Sequence, residues 1–436
     1  MSLPSKTVRR PCATNVTPQI ACPPTNCNKN LNMRIKAPKN LEHLFINPNI
    51  NNSLYTAPTP VKLSERWMDY QGIKNWEGLL DPLDHNLRSE ILRYGHFIEA
   101  AYRSFDFDPS SSSYAMCRYP KRRLLDESGF PETGYRVTKN LVATSGIQLP
   151  GWIQKAPSWM AMQSCWIGYT AVCHDSREIS RLGRRDVVIA FRGTATCLEW
   201  LENLRANLTP LSNDNSKPSE YSCPMVESGF LSLYTSSIRN RPSLKKQVRE
   251  EVSRILKLYG NEPISFTFTG HSLGASLATL AAYDIKETFK NSPLVSVISF
   301  AGPRVGNRSF RSDLDRQGTK VLRIVNSDDL ITKIPGFVIE NNDQKTNNCD
   351  HHMANISTWI KKIMEDTQWV YADIGCELRL SSRSSPDLND INIATCHELK
   401  TYLHLVNGFR GVEGKEFFLS GDFRFKVMKL KIPVCS

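Results

Sequence analysis

Ile264-Ser-Phe-Thr-Phe-Thr-Gly-His-Ser-Leu-Gly-Ala-Ser-Leu-Ala-Thr-Leu-Ala-Ala282 is the stretch from which the rest of the chain can be read. Its first part, after Pro263, alternates apolar residues with small polar ones, the period of a strand. From Leu273 onward it is an Ala/Leu run of strong helix formers. Between the two stands Gly270-x-Ser272-x-Gly274. A bare Gly-x-Ser-x-Gly is a weak signal; a strand directly before it and a small-residue helix directly after it are the context that gives it meaning. The stretch therefore predicts a nucleophile elbow, with Ser272 on a tight strand-to-helix turn and glycines that let strand and helix pass closely. His271 is expected to turn to the opposite side of the elbow as a packing residue, not to act as the base.

A serine hydroxyl becomes a good nucleophile only when a histidine takes its proton, and that histidine needs a carboxylate to fix its tautomer. In architectures built around this elbow the chain order is Ser, acid, His. Downstream, Val295 to Ala301 reads as a strand closed by Gly302-Pro-Arg-Val-Gly306, and Val321 to Val325 as another that ends in Asn326-Ser-Asp328-Asp329. The acid belongs at that strand end, and adjacent residues cannot both face the site. The histidines beyond it are His351, His352, His397 and His404. His351 and His352 fall in an Asn/Asp-rich loop and read as a solvated pair. His397 stands between a loop and a helix through Leu399, Tyr402, Leu403 and Leu405, a position that suits the base. His404 lies two turns into that helix and reads as packed.

Upstream, Trp166 to Val172 and Asp186 to Phe191 read as paired strands joined by a charged hairpin around Arg181 to Arg185. The second runs into Arg192-Gly193-Thr194. The loop after such a strand supplies one backbone N–H of an oxyanion hole, and the residue after the nucleophile supplies the other, which names Thr194 and Leu273. Leu198, Trp200, Leu201 and Leu204 mark a short amphipathic helix, about 196–206, that is either a core helix or a lid. Further helices are expected over 84–103 with Asp84 as N-cap, over Val226 to Ile238, and over Ser243 to Tyr259; Tyr135 to Ala143 reads as a strand. Ile147 to Trp166, with Trp152, Trp159 and Trp166 and little charge, is either a loop packed on the core or a surface for a lipid interface.

The whole chain of 436 residues is 40% hydrophobic, enough for a substantial core, and no apolar run reaches membrane-spanning length. Its formal charge of +12 is spread along the chain with no aromatic-basic recognition motif, which argues against nucleic acid and for an anionic lipid surface. Twelve cysteines occur without a metal-binding spacing, as expected of free thiols in a reducing compartment. Residues 1–60 are rich in Asn, Pro, Ser and Thr, carry several basic residues and the single acid Glu42, and lack an apolar signal-peptide core. That is the profile of an organelle transit peptide, with a plain disordered tail as the alternative.

Taken together, Phe191-Arg-Gly-Thr194, Glu199-Trp-Leu-Glu-Asn-Leu204, Gly270-His-Ser-Leu-Gly274, Phe300-Ala-Gly-Pro-Arg-Val-Gly306, Arg323-Ile-Val-Asn326 with Asp329 and Pro335, and Cys396-His-Glu-Leu399 with Tyr402-Leu-His404 resemble a class 3 lipase. More closely, they are similar to the plant class I phospholipases A1 related to the plastid enzymes that release acyl chains for jasmonate. The resemblance runs from about Trp67 to Phe409. It implies an α/β hydrolase fold over 61–436, with a mostly parallel sheet, helices on both faces and a lid helix after Thr194, behind a chloroplast transit segment at 1–60. It selects Asp329 over Asp328 and His397 as partners of Ser272, with Thr194 and Leu273 at the oxyanion. It further implies cleavage of the sn-1 ester of phosphatidylcholine, with galactolipids and triacylglycerol as further substrates, at a membrane or lipid-droplet surface, without cofactor or metal. The alternatives are a neutral-lipid lipase, a catalytically silent lipase-like binding protein, and the cytosol as location.

Overall fold

The computed structural model describes residues 62–108, 110–144, 164–193, 207–211, 223–238, 241–334, 370–384 and 392–409. All of them fall in Thr59–Ser436, the second of the two units into which the chain divides. The strands are β1 (Tyr135–Thr144), β2 (Ser164–Cys173), β3 (Arg185–Phe191), β4 (Leu208–Pro210), β5 (Met225–Glu227), β6 (Ile264–His271), β7 (Leu294–Phe300), β8 (Lys320–Asn326) and β9 (Cys376–Leu380). The principal helices are α1 (His85–Ser104), α2 (Ser176–Leu182), α3 (Ser228–Thr235), α4 (Leu244–Tyr259), α5 (Leu273–Thr288), α6 (Arg308–Gln317), α7 (Ile393–His397) and α8 (Leu399–Gly408).

Seven strands form one sheet in the order β1-β2-β3-β6-β7-β8-β9. From β3 to β9 every pairing is parallel, and β1 and β2 add an antiparallel edge. Near-continuous apolar runs such as Val187 to Phe191 are what a parallel strand covered on both faces requires. On one face Phe266 and Phe268 of β6 pack with Val248, Val252 and Ile255 of α4, Leu277 of α5 and Phe230 of α3. On the other, Leu87, Ile91 and Ile98 of α1 and Tyr402 and Val406 of α8 join Phe300 and Ile324. This is an α/β hydrolase architecture: a mostly parallel sheet between two helical layers, with the elbow at the carboxyl end of its central strand.

The small polar residues of β6 have their own partners beneath α1. Asp186, fully buried, accepts hydrogen bonds from Ser265 Oγ at 2.9 Å and Tyr135 Oη at 2.9 Å and pairs with Arg93 at 3.1 Å. Arg184 donates to Ser265 Oγ at 2.8 Å and pairs with Glu90 at 3.2 Å. Buried charges persist only when paired and hydrogen-bonded in this way, so the alternation of β6 serves a polar network on one face and the core on the other.

Several local expectations change. β2 and β3 are joined not by a hairpin but by α2, which Asp175 caps by accepting from the N–H groups of Arg177 and Glu178 and which Gly183 closes at φ 70°. The helix expected from Val226 starts only at Ser228, because Met225–Glu227 pairs with β4 and Glu227 caps α3 instead of entering it. β9 has no counterpart among the expected strands. The lid segment 196–206, the apolar stretch 147–163, His351, His352 and residues 1–60 lie outside the described residues. Among the described residues no helix is long and apolar enough to cross a membrane, and Cys117, Cys165, Cys173, Cys223, Cys376 and Cys396 are free thiols.

Glu227 leads to a stability prediction. Its buried carboxylate accepts from the N–H groups of Gly229 at 2.9 Å and Phe230 at 2.7 Å, yet burial outweighs these bonds and pushes it up from 4.5 to about 7. A carboxyl raised in the folded state contributes stability that is complete below the unfolded value and lost as pH rises through the folded one. The wild-type protein should therefore lose up to ~3 kcal/mol relative to Glu227→Gln between about pH 4.5 and 7. Thermal unfolding of both proteins across that range tests this; parallel Tm curves would sink it.

Candidate active site

Ser272 sits between β6 and α5 with φ 56° and ψ −125°, a backbone region costly for any residue but glycine. The surrounding chain fixes it there: Ser272 N–H donates to Phe300 O at 2.9 Å on the neighbouring β7, and Ala275 N–H donates to Ser272 O at 2.9 Å. The flanking glycines allow the crossing. A Cβ on Gly270 would stand 2.2 Å from the Gly274 carbonyl carbon, and one on Gly274 would stand 2.5 Å from Phe191 O. No side chain fits at either place.

Asp329 follows β8 in a turn whose N–H returns to Asn326 O at 3.0 Å. It is fully buried, and its two oxygens divide the work. Oδ1 accepts from Ile331 N–H at 2.9 Å, while Oδ2 accepts from His397 Nδ1 at 2.7 Å and from the Tyr402 hydroxyl at 2.7 Å. Asp328 faces away, paired with Arg383 at 3.0 Å and accepting from Ser381 Oγ at 3.1 Å. His397 closes the short helix α7, whose first turn is set by a capping box between Asn392 and Thr395. Since a carboxylate can only accept, Nδ1 carries the proton. The lone pair on Nε2 then faces Ser272 Oγ, 2.9 Å away.

Residues 125 and 68 positions apart in sequence thus meet in one hydrogen-bonded run, Asp329 to His397 to Ser272. Leu273 is the first residue of α5, so its N–H is among those a helix start leaves without an intrahelical acceptor. Thr194, the other expected oxyanion donor, lies outside the described residues. Gly193 just before it is described, and its N–H donates to the Tyr102 hydroxyl at 2.9 Å.

Two expectations about histidines are corrected. His404 is exposed rather than packed, because α8 turns its Leu405 and Val406 inward. His271 is buried, but it is not a packing residue turned away from the site. Its ring lies 5.0 Å from the His397 ring and makes hydrogen-bond contacts of 2.7 Å through both nitrogens, to Tyr102 Oη and His397 O. Sequence marks Tyr402 as an apolar helix position and as one of the residues that carry the resemblance, without a role in the site; burial raises its hydroxyl well above the ordinary range, and it donates to the acid. Among the described residues no group of His, Cys, Asp or Glu is placed to hold a metal ion.

The class 3 lipase family model matches residues 188–339, from β3 through the elbow to just beyond Asp329. The chain is 67% identical over 353 residues to the chloroplastic phospholipase A(1) DAD1 of Arabidopsis thaliana, covering 80% of this chain and 78% of that protein. It is 38% identical over 380 residues to the chloroplastic phospholipase A1-Igamma2 of the same plant, with 82% and 68% covered. To the chloroplastic galactolipase DONGLE, also of Arabidopsis thaliana, it is 42% identical over 362 residues, with 79% and 70% covered. Likeness of this depth along most of both chains means that the chain belongs to the class 3 lipase family, in the branch of the chloroplastic phospholipases A1.

Proposed function

We propose that this chain is a serine acylhydrolase of the phospholipase A1 type, cleaving the sn-1 ester of phosphatidylcholine and also accepting galactolipids. The observation that carries the proposal is the run from Asp329 through His397 to Ser272, buried at the carboxyl ends of β6 and β8. His397 Nε2 takes the Ser272 proton as Oγ attacks the ester carbonyl, and Asp329 stabilises the imidazolium that forms. The N–H groups of Leu273 and Thr194 receive the developing oxyanion. His397 then returns the proton to the leaving alkoxide, and water, activated by the same nitrogen, releases the fatty acid from Ser272. The relatives' names support phospholipid and galactolipid ester bonds as substrates and the plastid as location.

The finer parts of this reading have their own support. The Asn/Pro/Ser/Thr-rich, acid-poor composition of residues 1–60 supports a plastid transit segment ahead of a hydrolase domain at 61–436. The charge of +12 supports peripheral seating on an anionic lipid surface. A silent lipase-like module is disfavoured by the hydrogen bonds that join all three side chains.

The deciding experiment offers the purified protein phosphatidylcholine, galactolipid and triacylglycerol carrying different sn-1 and sn-2 chains. Release of the sn-1 chain from the two polar lipids is expected. Release confined to triacylglycerol would move the assignment to a neutral-lipid lipase, and no release by folded protein would overturn it.

A further inference from the structure

We propose that Tyr102 and His271 are positioning residues that tie Gly193, at the strand end before the oxyanion loop, to the backbone of His397, so that the base and that strand end are held by one hydrogen-bonded relay; this rests on the triad reading above. The direction of each bond follows from one fixed point. His397 O can only accept, so His271 Nε2, 2.7 Å away, carries the proton. Burial, with His397 nearby adding to it, pulls the His271 ring down to about 3 from its ordinary 6.5, so the ring is neutral and its Nδ1 is a lone pair. The Tyr102 hydroxyl, 2.7 Å from Nδ1, is therefore the donor of that bond. Its oxygen keeps lone pairs to accept Gly193 N–H at 2.9 Å. From Gly193 through Tyr102 and His271 to His397 O, every donor meets an acceptor.

Four segments far apart in sequence converge at this relay, and the space is filled. A Cβ on Gly193 would stand 2.4 Å from Tyr102 Oη and 2.8 Å from His271 O. Two mechanical consequences follow. Because its N–H is committed to Tyr102, Gly193 is not an oxyanion donor, and its bond fixes the Arg192–Gly193 peptide at the end of β3. His397 is gripped twice, at its carbonyl by His271 and at Nδ1 by Asp329, which leaves its ring little freedom to swing from Ser272. A misplacement of about 1 Å in such a group is worth ~100-fold in rate.

Tyr102→Phe, His271→Asn and His271→Gln separate this role from simple filling of space. Gln can present an amide N–H where Nε2 stands and keep the grip on His397 O. Asn can supply only the acceptor for Tyr102. Rates on a soluble short-chain ester are divided by the sites titrated with a fluorophosphonate, with Tm recorded for each variant and Ser272→Ala alongside.

His271→Asn is expected to lower kcat per titrated site about 10- to 100-fold with KM within about 2-fold, Tyr102→Phe about 10-fold, and His271→Gln to recover most of the loss. A merely structural role would lower Tm or the titratable fraction and leave kcat per site unchanged. Equal kcat in all three variants and wild type, or the same loss in Asn and Gln, overturns the relay while Ser272→Ala remains inactive. Because Tyr102→Phe removes only a hydroxyl, it reads the relay even where the His271→Asn protein fails to fold. Hydrolysis persisting in Ser272→Ala would instead remove the triad reading, and the relay with it.

Discussion

Ser272→Ala is expected to lower kcat for ester hydrolysis by about a hundred-thousand- to a million-fold, with KM little changed. The hydroxyl is the atom that forms the acyl-enzyme, and no other described nucleophile stands within reach of His397 Nε2, so its loss removes the chemical step and not binding. The effect should also be non-additive. In Ser272→Ala/His397→Ala the rate should fall no further than in Ser272→Ala alone, because a base without a nucleophile contributes nothing. Folding should be nearly untouched, since alanine inherits the same φ of 56° and the same backbone bonds to Phe300 and from Ala275. Single-turnover release of labelled fatty acid, with Tm as the control, checks each part. Residual activity above about 1% of wild type, in protein free of contaminating esterase, is far beyond what oxyanion stabilisation alone supplies and would remove Ser272 from its role.

The elbow and the parallel strands are legible because each is a local pattern. β6 alternates apolar with small polar residues, β7 and β8 are mostly apolar runs of strand length, and α5 follows its strand with no intervening loop. What escapes is set by short signals or distant contacts. β9 is five residues, Cys-Glu-Leu-Arg-Leu, an edge strand whose alternation is too short to stand out. α2 is hidden by the charge of Arg181, Arg184 and Arg185, although Asp175 and Gly183 bracket it with the residue types that start and stop helices. Choosing between Asp328 and Asp329 needs more than position, since both follow β8. Nothing local distinguishes Tyr402 from an ordinary core tyrosine: its bond to Asp329 spans 73 positions, and that between Tyr102 and His271 spans 169. His271 escapes for the same reason. Its neighbour in sequence is the nucleophile, but its partners come from α1 and α7.

That choice between adjacent carboxylates gives the second large effect. Asp329→Asn is expected to lower kcat about ten-thousand-fold and Asp328→Asn less than about 3-fold. Oδ2 of Asp329 accepts two hydrogen bonds, from His397 Nδ1 and Tyr402 Oη, while Oδ1 accepts Ile331 N–H. An asparagine has one oxygen for these three donors. If that oxygen stays on Ile331, the amide NH2 confronts His397 and drives its proton to Nε2, which then faces Ser272 with a hydrogen in place of a lone pair. If the amide is turned, the NH2 confronts Ile331 N–H and the turn that holds residue 329 loosens. The first outcome removes the base, and the second keeps its tautomer but loosens the carboxamide that should hold it in place. Asp328 by contrast pairs with Arg383, whose side chain is 81% exposed, and surface pairs of that kind are worth about 0–1 kcal/mol. Steady-state rates of the two variants on one soluble ester decide the matter, and comparable losses in both would mean that the turn after β8, rather than the Asp329 carboxylate itself, is what the site requires.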